Sequence, residues 1–361
     1  MEIIAEAGSN HNGDVEQALK LVETAKAAGA SSVKFQFIFP DGLYVPSFSG
    51  QGGVTANLAY SQRAQEQLPK KDWLKVWREA SIIGIPVSAS VFCLKGVELL
   101  ADLGAPYVKI ASTDLTNLDL IRQAAEIFPQ VIISTGMASI PEIDISVQFL
   151  RREFSSLDFR LMHCVSLYPC PVEESNPKRV RALSELFGGA VGYSDHTRDT
   201  TSALLALAHG ATFFEKHFTT SRTLSGFDHA NALEPEELAS YIDVLNSAEL
   251  ALSRVSSENS PLEEETKVRA RRGIYAAADL PKGHIISDED ILHVRPSNGS
   301  NLVPSAVVGR QLLEDVRRFD SLQVFDGFAK SVEISNAAKR HWESEMVAKG
   351  MMADPARPKR P

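Results

Sequence analysis

The chain has 361 residues, of which 44% are hydrophobic and 23% are charged, and its formal net charge is −9 at pH 7. That composition is typical of a globular protein with room for one large domain and one small one. The acidic balance excludes a general nucleic-acid binder, because such a protein needs surplus Lys and Arg to displace counterions from phosphates. The amino end shows neither a basic nor an apolar leader segment, so we expect no export signal, and the three cysteines form no Cys-x-x-Cys pair. We therefore expect a cytoplasmic protein without a membrane partner.

Short apolar runs alternate with helix-compatible segments over residues 1–255, and each run has the length of a strand. Eight strand–helix units predict a (β/α)8 TIM barrel, with a doubly wound open sheet as the alternative. The first helix should be capped by Asp14 together with Gln17 and end at Gly29. The eight runs are IIAEAG (3–8), SVKFQF (32–37), PVSASV (86–91), YVKIAS (107–112), VIISTG (131–136), RLMHCV (160–165), AVGYSDH (190–196) and FFEKHF (213–218).

The composition changes after residue 255. Residues 256–270 are polar and predict a linker with one short helix, in which Ser260, Pro261 and Glu263 form the capping-box start. Residues 271–330 hold short strands with turn signals and predict a small second domain of mixed character. Residues 331–361 predict one further helix and a basic, proline-rich disordered tail.

Alternation along the predicted strands places polar side chains inside the barrel. In SSVKFQF, Lys34 and Gln36 alternate with Val33, Phe35 and Phe37, so the polar pair shares one face. Burying such groups without partners is costly, and a cluster of them predicts a polar ligand, a metal or both at the carboxyl ends of the strands. The inward set is Glu6, Lys34, Gln36, Ser88, Ser90, Lys109, Ser134, Ser166, Ser194, His196, Glu215 and His217.

Two inward lysines with a ring of serines suit a phosphate or a carboxylate, because ammonium groups supply charge and hydroxyls supply oriented donors. An ion pair that closes the barrel and a Schiff-base lysine are the alternatives for Lys34 and Lys109. His196 and His217 end consecutive strands and therefore lie at one rim. Two imidazoles make an open metal site that suits a Lewis acid better than a structural ion.

Several ordered motifs resemble the N-acetylneuraminate (sialic acid) synthase family, whose members join phosphoenolpyruvate to an N-acylated hexosamine to make a nine-carbon sugar acid. The resemblance spans roughly residues 3–328. It includes RRGIYAAADLPKG and VRPSNG, which resemble that family's C-terminal antifreeze-like (SAF, β-clip) domain. The barrel motifs are IAEAGSNHNGD, SSVKFQ, YVKIAS, ISTGM, GYSDHT, FFEKHF and DHANALEP.

The resemblance implies a role for each matching residue. His196 and His217 would bind a divalent ion, with Mn²⁺ preferred over Mg²⁺ or Co²⁺, that polarises the open-chain aldehyde for attack by the enol carbon. Water would then add, and phosphate would leave by C–O cleavage. Glu215 and Asp114 would donate or accept protons, or would position the residues that contact the substrate. Phosphoenolpyruvate would be held by Lys34, Ser90, Lys109, Ser112, Ser134, Ser166 and Ser194, and the sugar by Glu6, Gln36, Tyr168, Asp228 and Arg295.

The sequence departs from the family at Ser90, which stands in SASVF where members often have STPF, and at Ser166, where some members have Asn. Nothing in residues 38–60 identifies the sugar. The candidate sugars are N-acetylmannosamine, its 6-phosphate and the diacetamido precursors of legionaminic or pseudaminic acid. We favour an unphosphorylated sugar, because the sequence shows no extra cationic pocket for a sugar phosphate.

The resemblance also implies a domain-swapped homodimer, in which the SAF domain caps the partner's barrel and Arg295 acts in trans. Two other functions remain as alternatives. One is a metal-free class I aldolase that uses Lys34 or Lys109 as a Schiff base. The other is a non-enzymatic binding module built on the antifreeze-like domain, against which the polar barrel interior counts.

Overall fold

The computed structural model describes residues 1–50, 53–253, 258–297 and 303–332, and the chain divides into two compact units, Met1–Arg254 and Val255–Pro361. The helix and tail predicted for residues 331–361 lie outside the described residues from residue 333 onward. None of the described helices is long and apolar enough to cross a membrane.

The first unit is a closed barrel of eight parallel strands, so the TIM-barrel prediction is confirmed and the open-sheet alternative is wrong. The barrel order is β1-β10-β9-β8-β7-β6-β5-β2, and β3 pairs with β4 as a separate hairpin. The strands are β1 (Glu2–Gly8), β2 (Ser32–Phe37), β3 (Ser47–Gly50), β4 (Gly53–Ala56), β5 (Val87–Val91), β6 (Val108–Ile110), β7 (Gln130–Ser134), β8 (Asp158–His163), β9 (Val191–Asp195) and β10 (Phe213–His217).

Helices connect the strands of the first unit. Asp14 caps α1 by accepting from the Glu16 N–H at 2.9 Å. The predicted contribution of Gln17 to this cap is wrong, because its side-chain amide donates to Thr220 Oγ1 at 2.6 Å instead. The helices are α1 (Val15–Ala27), α2 (Leu58–Gln65), α3 (Lys70–Ile83), α4 (Leu94–Asp102), α5 (Leu118–Ile127), α6 (Ile140–Glu153), α7 (Lys178–Phe187), α8 (Thr201–Ala208) and α9 (Pro235–Ser253).

The period-two pattern of the strands separates an apolar outer face from a layered interior. Phe35 and Phe37 of β2 pack against Trp73 of α3, with ring centroids 5.1 and 4.8 Å away, while Lys34 points inward. The polar interior rests on an apolar floor made by inward side chains one step lower on the strands. That floor consists of Ile4, Tyr107, Ile132, Met162 and Phe213.

Gly192 of β9 leaves room for this floor, because a Cβ there would lie 2.4 Å from the Phe213 ring. The layering means that the carboxyl-terminal end of the barrel is polar while its middle is filled by packed side chains.

The second unit is a small mixed domain. Ser260 caps its first helix by accepting from the Glu263 N–H at 3.1 Å. Four antiparallel strands form one sheet in the order β12-β11-β13-β14, and a separate apolar core that includes Ile274, Ile286 and Leu322 packs inside this unit. Its elements are α10 (Pro261–Ala270), β11 (Gly273–Ala276), β12 (Ile291–Val294), α11 (Pro304–Val307), β13 (Ser321–Phe325) and β14 (Phe328–Val332).

Candidate active site

A cavity of about 450 Å³ lies at the carboxyl ends of the barrel strands. Its walls include every candidate site residue from the sequence except Asp114 and Arg295. The size and the mixture of polar and apolar walls are those of a small-molecule site. The candidate residues that line it are Glu6, Lys34, Gln36, Ser90, Lys109, Ser112, Ser134, Ser166, Tyr168, Ser194, His196, Glu215, His217 and Asp228.

Two buried lysines, from β2 and β6, line the cavity, and each is paired with a carboxylate. Lys34 Nζ lies 2.6 Å from Glu6 Oε2 and donates to Ser90 Oγ at 2.8 Å. Lys109 Nζ donates to Glu215 Oε2 at 2.9 Å, and the same oxygen lies 3.4 Å from Lys34 Nζ. The ion pairs foreseen as an alternative are therefore present, and they lie within the wall of the cavity.

The two carboxyl groups differ in acidity because of their surroundings. Burial raises the pKa of Glu6, since the Lys34 ammonium only partly compensates and the Glu215 carboxylate adds to the rise. Burial also acts to raise the pKa of Glu215, but the ammonium groups of Lys109 and Lys34 outweigh it and hold the pKa well below its usual range. Because their pKa values are shifted in opposite directions, Glu6 is suited to exchange a proton and Glu215 is suited to stay anionic.

Two hydroxyls and one thiol of the cavity converge on Gly136, in the loop after β7. A Cβ at this position would lie 2.5 Å from Ser166 Oγ and 2.8 Å from both Cys164 Sγ and Ser112 Oγ. The Gly136 N–H donates to Ser112 Oγ at 3.1 Å. A larger residue would push these side chains away, so glycine at this position allows the three polar side chains to lie close together beside Ser134.

His196 and His217 lie side by side at the rim, with ring centroids 5.7 Å apart. Tyr168 packs on the His196 ring at 4.1 Å and edge-on against His217 at 5.7 Å. Burial, together with the neighbouring His217, lowers the pKa of His196 to about 3. The His196 ring is therefore neutral near pH 7, which is the form that binds metals.

The hydrogen bonds of His196 leave one ring nitrogen free to bind a ligand. Nδ1 lies 2.7 Å from the Val165 carbonyl oxygen, which can only accept, so Nδ1 carries the proton and Nε2 carries a lone pair. Nε2 lies 3.2 Å from Ser194 Oγ, whose own proton goes to Glu215 Oε1 at 2.8 Å. No donor among the described residues therefore meets the Nε2 lone pair.

His217, like His196, has an oxygen atom near its Nδ1. Its Nδ1 and Asp228 Oδ2 are both buried, lie 4.0 Å apart and have no hydrogen-bond partner among the described residues. A carboxylate on that side favours a proton on Nδ1 and leaves the other nitrogen as a ligand. The pair of imidazoles fits a divalent ion that takes its other ligands from water or substrate, since the described residues hold no cluster of three or more His, Cys, Asp or Glu suited to a metal.

The end of the cavity near β1 carries groups suited to a neutral, hydroxyl-rich ligand. Gln36 Nε2 donates to Glu6 Oε1 at 2.9 Å. Gly8 has a positive φ of 55°, and a Cβ there would lie 2.7 Å from Asp228 Oδ2 and 3.4 Å from Gln36 Nε2. Glycine at this position lets the amide and the carboxylate approach each other across β1.

The structure does not bring Asp114 to the cavity. Its carboxylate accepts from Thr113 Oγ1 at 2.8 Å and from Asn117 Nδ2 at 3.2 Å, so it supports the turn between β6 and α5. Arg295 directly follows β12 in the second unit, and its predicted contact with the sugar stays a prediction.

The sequence reasoning missed several cavity residues, among them Cys164, Met137 and Arg63. Cys164 shares the strand parity of Ser166 and could have been found by the same alternation. Met137 and Arg63 lie outside strands, where no periodic signal marks the side that faces a cavity.

Comparison with known proteins identifies the family of the chain. The NeuB family model matches residues 21–257, and the SAF domain model matches residues 271–318. The chain is 34% identical over 315 residues to the N,N'-diacetyllegionaminic acid synthase of Legionella pneumophila, covering 84% of this chain and 87% of that protein. It is 30% identical over 332 residues to a pseudaminic acid synthase of Campylobacter jejuni, covering 90% and 96%.

A solved structure is similar over most of its length. The crystal structure of N-acetylneuraminic acid (sialic acid) synthetase from Leptospira borgpetersenii in complex with citrate has a TM-score of 0.65 and 32% identity, covering 73% of this chain and 89% of that one. A closed barrel with a polar cavity, an SAF domain and relatives named as sugar acid synthases all agree. The chain is therefore an enzyme that belongs to the NeuB family.

Proposed function

We propose that the enzyme condenses phosphoenolpyruvate with an N-acylated hexosamine, giving a nine-carbon 2-keto sugar acid and phosphate in a transferase-type reaction. One observation carries the proposal. A single cavity joins two buried lysines and a group of serines to a histidine pair and to an end suited to a sugar. The cytoplasmic location expected from the sequence is part of the same proposal.

The lysine end would bind phosphoenolpyruvate. Lys34 and Lys109 supply charge, and the hydroxyls of Ser90, Ser112, Ser134, Ser166 and Ser194 supply donors for phosphate and carboxylate oxygens. In the absence of this anion, the Glu6 and Glu215 carboxylates compensate the ammonium groups. The raised pKa of Glu6 makes it the carboxyl that can take up a proton when the anion enters.

His196 and His217 would hold the divalent ion, with Mn²⁺ first and Mg²⁺ or Co²⁺ as alternatives. When bound, the ion supplies a Lewis acid for the substrate carbonyl. The Val165 carbonyl orients the His196 ring, the Asp228 carboxylate lies 4.0 Å from His217 Nδ1, and the Tyr168 ring packs against both imidazoles.

The atoms of the reaction balance with one water. The C3 carbon of phosphoenolpyruvate forms a bond to the aldehyde carbon of the open-chain sugar, and the aldehyde oxygen gains a proton. Water adds at C2, the C2–O bond to the phosphate breaks, and the ketone remains. Glu6, which is buried and has a raised pKa, would give the proton, while Glu215 would stay anionic beside Lys109.

The sugar would lie between Glu6, Gln36, Tyr168 and Asp228. The names of the relatives include a diacetyl product, so N-acetylmannosamine and a diacetamido hexose are both candidates. We further propose that two chains form a domain-swapped homodimer, in which Arg295 of one chain reaches the acyl amide of the sugar in the other.

A class I aldolase that uses Lys34 is disfavoured by the charge around this lysine. Burial would lower the pKa of Lys34, but the Glu215 and Glu6 carboxylates outweigh it and raise the pKa above its usual range. A Schiff-base lysine must be neutral at the moment of attack, and these carboxylates oppose that state.

The test is phosphate release from phosphoenolpyruvate with each candidate sugar, with and without Mn²⁺. The proposal predicts release that needs the sugar and falls after exhaustive chelation. Borohydride trapping of a carbonyl substrate on Lys34 or Lys109, with full activity in chelator, would instead establish the aldolase.

A further inference from the structure

The loop at residues 219–231 follows β10 and carries Asp228, whose carboxylate lines the active-site cavity. One short turn of 3₁₀-helix, His229–Asn231, is the regular structure of this loop. A strand ladder therefore does not fix its position, and side-chain contacts have to do so.

His229 joins this loop to the segment between β1 and α1. Its ring is fully buried, and each of its nitrogens meets a polar side chain. Nε2 lies 3.0 Å from Asn12 Nδ2, and Nδ1 lies 2.6 Å from Thr219 Oγ1. Asn12 is 217 residues away in sequence, so the ring connects two distant loops at the rim of the barrel.

The partners of these atoms decide which of them carries each proton. Asn12 Nδ2 also donates to the Ser225 carbonyl oxygen at 2.8 Å, which can only accept, so its other N–H is available for His229 Nε2. Nε2 therefore accepts, and Nδ1 carries the proton that goes to Thr219 Oγ1. The Thr219 hydroxyl donates in turn to the Ser221 carbonyl oxygen at 3.1 Å. The hydrogen-bond chain Asn12–His229–Thr219 thus runs in one direction and needs a neutral imidazole.

Burial favours this neutral form. It lowers the pKa of His229, although the neighbouring Asp228 carboxylate acts in the opposite direction. Thr219 is as fully buried as His229, so a break in the hydrogen-bond chain would leave a buried polar group without a partner.

The loop also packs closely against this hydrogen-bond chain at Gly226. This residue has a φ of 151°, and a Cβ there would lie 2.6 Å from His229 Cδ2 and 2.7 Å from Asn12 Oδ1. Asp228 lies between Gly226 and His229 in sequence, so its backbone is held on both sides. Its Oδ2 atom is buried 4.0 Å from His217 Nδ1.

We propose that His229 is a positioning residue that holds the loop at residues 219–231 so that the Asp228 carboxylate faces the cavity. The inference rests on the proposed function in one respect, since Asp228 is taken there as a contact of the sugar. A loop that occupies its binding position for only a fraction of the time binds its ligand more weakly in proportion to that fraction. Loss of the hydrogen-bond chain should therefore weaken sugar binding more than phosphoenolpyruvate binding.

The experiment compares Thr219→Val, which removes the hydroxyl and keeps the shape, with Thr219→Ser, which keeps the hydroxyl. Calorimetry measures the Kd of N-acetylmannosamine and of a 2,4-diacetamido-2,4,6-trideoxyhexose on protein saturated with phosphoenolpyruvate without metal. Hydrogen exchange measures the protection of the amides at residues 219–231 in the ligand-free protein. Thr219→Val should raise the Kd of the tighter-binding sugar and the exchange rate of the loop roughly tenfold each, as one buried unpaired group would. Thr219→Ser should resemble wild type, and the Kd of phosphoenolpyruvate should change little in both.

A double variant tests whether His229 acts through Asp228. Asp228→Asn should weaken sugar binding by itself. Adding Thr219→Val to Asp228→Asn should then change the Kd of the sugar less than about twofold, because the group that the loop positions is already lost.

Ser146→Ala is the control for loss of a buried hydroxyl. Ser146 is 1% exposed and donates to the Leu115 carbonyl oxygen at 2.6 Å, and it lies on α6 outside the cavity. This variant should leave both the Kd of the sugar and the exchange of the loop unchanged. If Thr219→Val does not fold, Asn12→Asp tests the other end of the hydrogen-bond chain, since it keeps the shape but has no N–H group for His229 Nε2.

Unchanged exchange of the loop in Thr219→Val, equal losses for the sugar and phosphoenolpyruvate, or independent losses in the double variant would each overturn the inference. Failure of the condensation itself has a different signature. In that case wild type releases no phosphate with either sugar, while faster exchange of residues 219–231 in Thr219→Val, restored in Thr219→Ser, still supports the role of His229 in holding the loop.

Discussion

Lys109 and Glu215 form a buried ion pair across the barrel, with 2.9 Å between Nζ and Oε2, although they are 106 residues apart in sequence. Lys34 lies 3.4 Å from the same oxygen. An entering anion therefore meets two ammonium groups that are already positioned and partly compensated. If the lysines bind the anion, their removal should weaken anion binding selectively. If they are purely structural, their removal should weaken the binding of both substrates equally.

Lys34→Met and Lys109→Met should weaken phosphoenolpyruvate binding more than sugar binding, each by roughly 2–5 kcal/mol, because each removes a buried charge contact with the anion. Calorimetric titration of each ligand into each variant measures the difference.

Lys216→Met is the matched control for these variants. Lys216 is equally buried and donates to Asp195 Oδ2 at 2.9 Å. It lies on β10 between the inward residues Glu215 and His217, so its side chain points away from the cavity. We expect this variant to lose stability without a selective loss of phosphoenolpyruvate affinity. Equal losses of both ligands in the Lys34 and Lys109 variants would mean that these lysines only hold the barrel together.

Gly136→Ala should raise the KM for phosphoenolpyruvate at least about tenfold and lower the unfolding free energy by about 1–3 kcal/mol, as overpacking does. The added methyl group would displace Ser112, Cys164 and Ser166 from their close approach. Steady-state kinetics and urea unfolding check the two effects. Gly50→Ala is the control, because a Cβ there meets no atom within 4 Å, and unchanged kinetics in Gly136→Ala would contradict the prediction.

His11 should make stability depend on pH. It is 3% exposed and packs against Trp73, and burial, together with the Arg63 charge, lowers its pKa from 6.5 to about 4. Between these values the unfolded chain binds a proton that the folded chain does not, so stability rises with pH. The unfolding free energy should fall by about 3 kcal/mol from this residue as the pH drops from 6.5 through 4.

Urea unfolding at a series of pH values in wild type and His11→Asn measures that contribution. The variant should show a shallower pH dependence, with the remaining slope including His163, whose pKa burial also lowers to about 4. Parallel curves for the two proteins would show that His11 does not carry the effect.

The proposed domain swap predicts complementation between inactive chains. Arg295→Ala and His196→Ala, each inactive alone, should recover about a quarter of wild-type activity when unfolded and refolded together, because about half the dimers are mixed and each has one intact site. Phosphate release measures the recovery, and native mass spectrometry counts the mixed dimers. Mixed dimers without activity would place Arg295 over its own barrel.

Much of the fold could be predicted because its signals are local. Period-two alternation in β2 separates Lys34 from Phe35, and repeated strand–helix spacing fixes the barrel. Capping details were less predictable, since Gln17 found a partner in Thr220, which is 203 residues away in sequence. The apolar floor below the polar layer also depends on which strand positions lie level in the closed barrel, and one strand alone does not show that.

The candidate site followed from strand parity and strand ends, which place Lys34, Lys109, His196 and His217 around one cavity. Asp114 could not be placed in this way, because it lies in a turn whose own hydrogen bonds decide its direction. Arg63 was equally hidden. Its place in the cavity wall depends on how α2 packs near Ser9 and Phe227, which are distant in sequence.

Phosphoenolpyruvate that carries heavy oxygen in its C–O–P bridge shows which bond breaks in the proposed condensation. With an accepted sugar and Mn²⁺, the account predicts that all the label leaves with phosphate, that a nine-carbon keto acid forms in equal amount, and that neither product forms without the sugar. Folded His217→Ala should form neither at a comparable rate. Label retained in the keto acid, or phosphate released without the sugar, would contradict the proposed condensation.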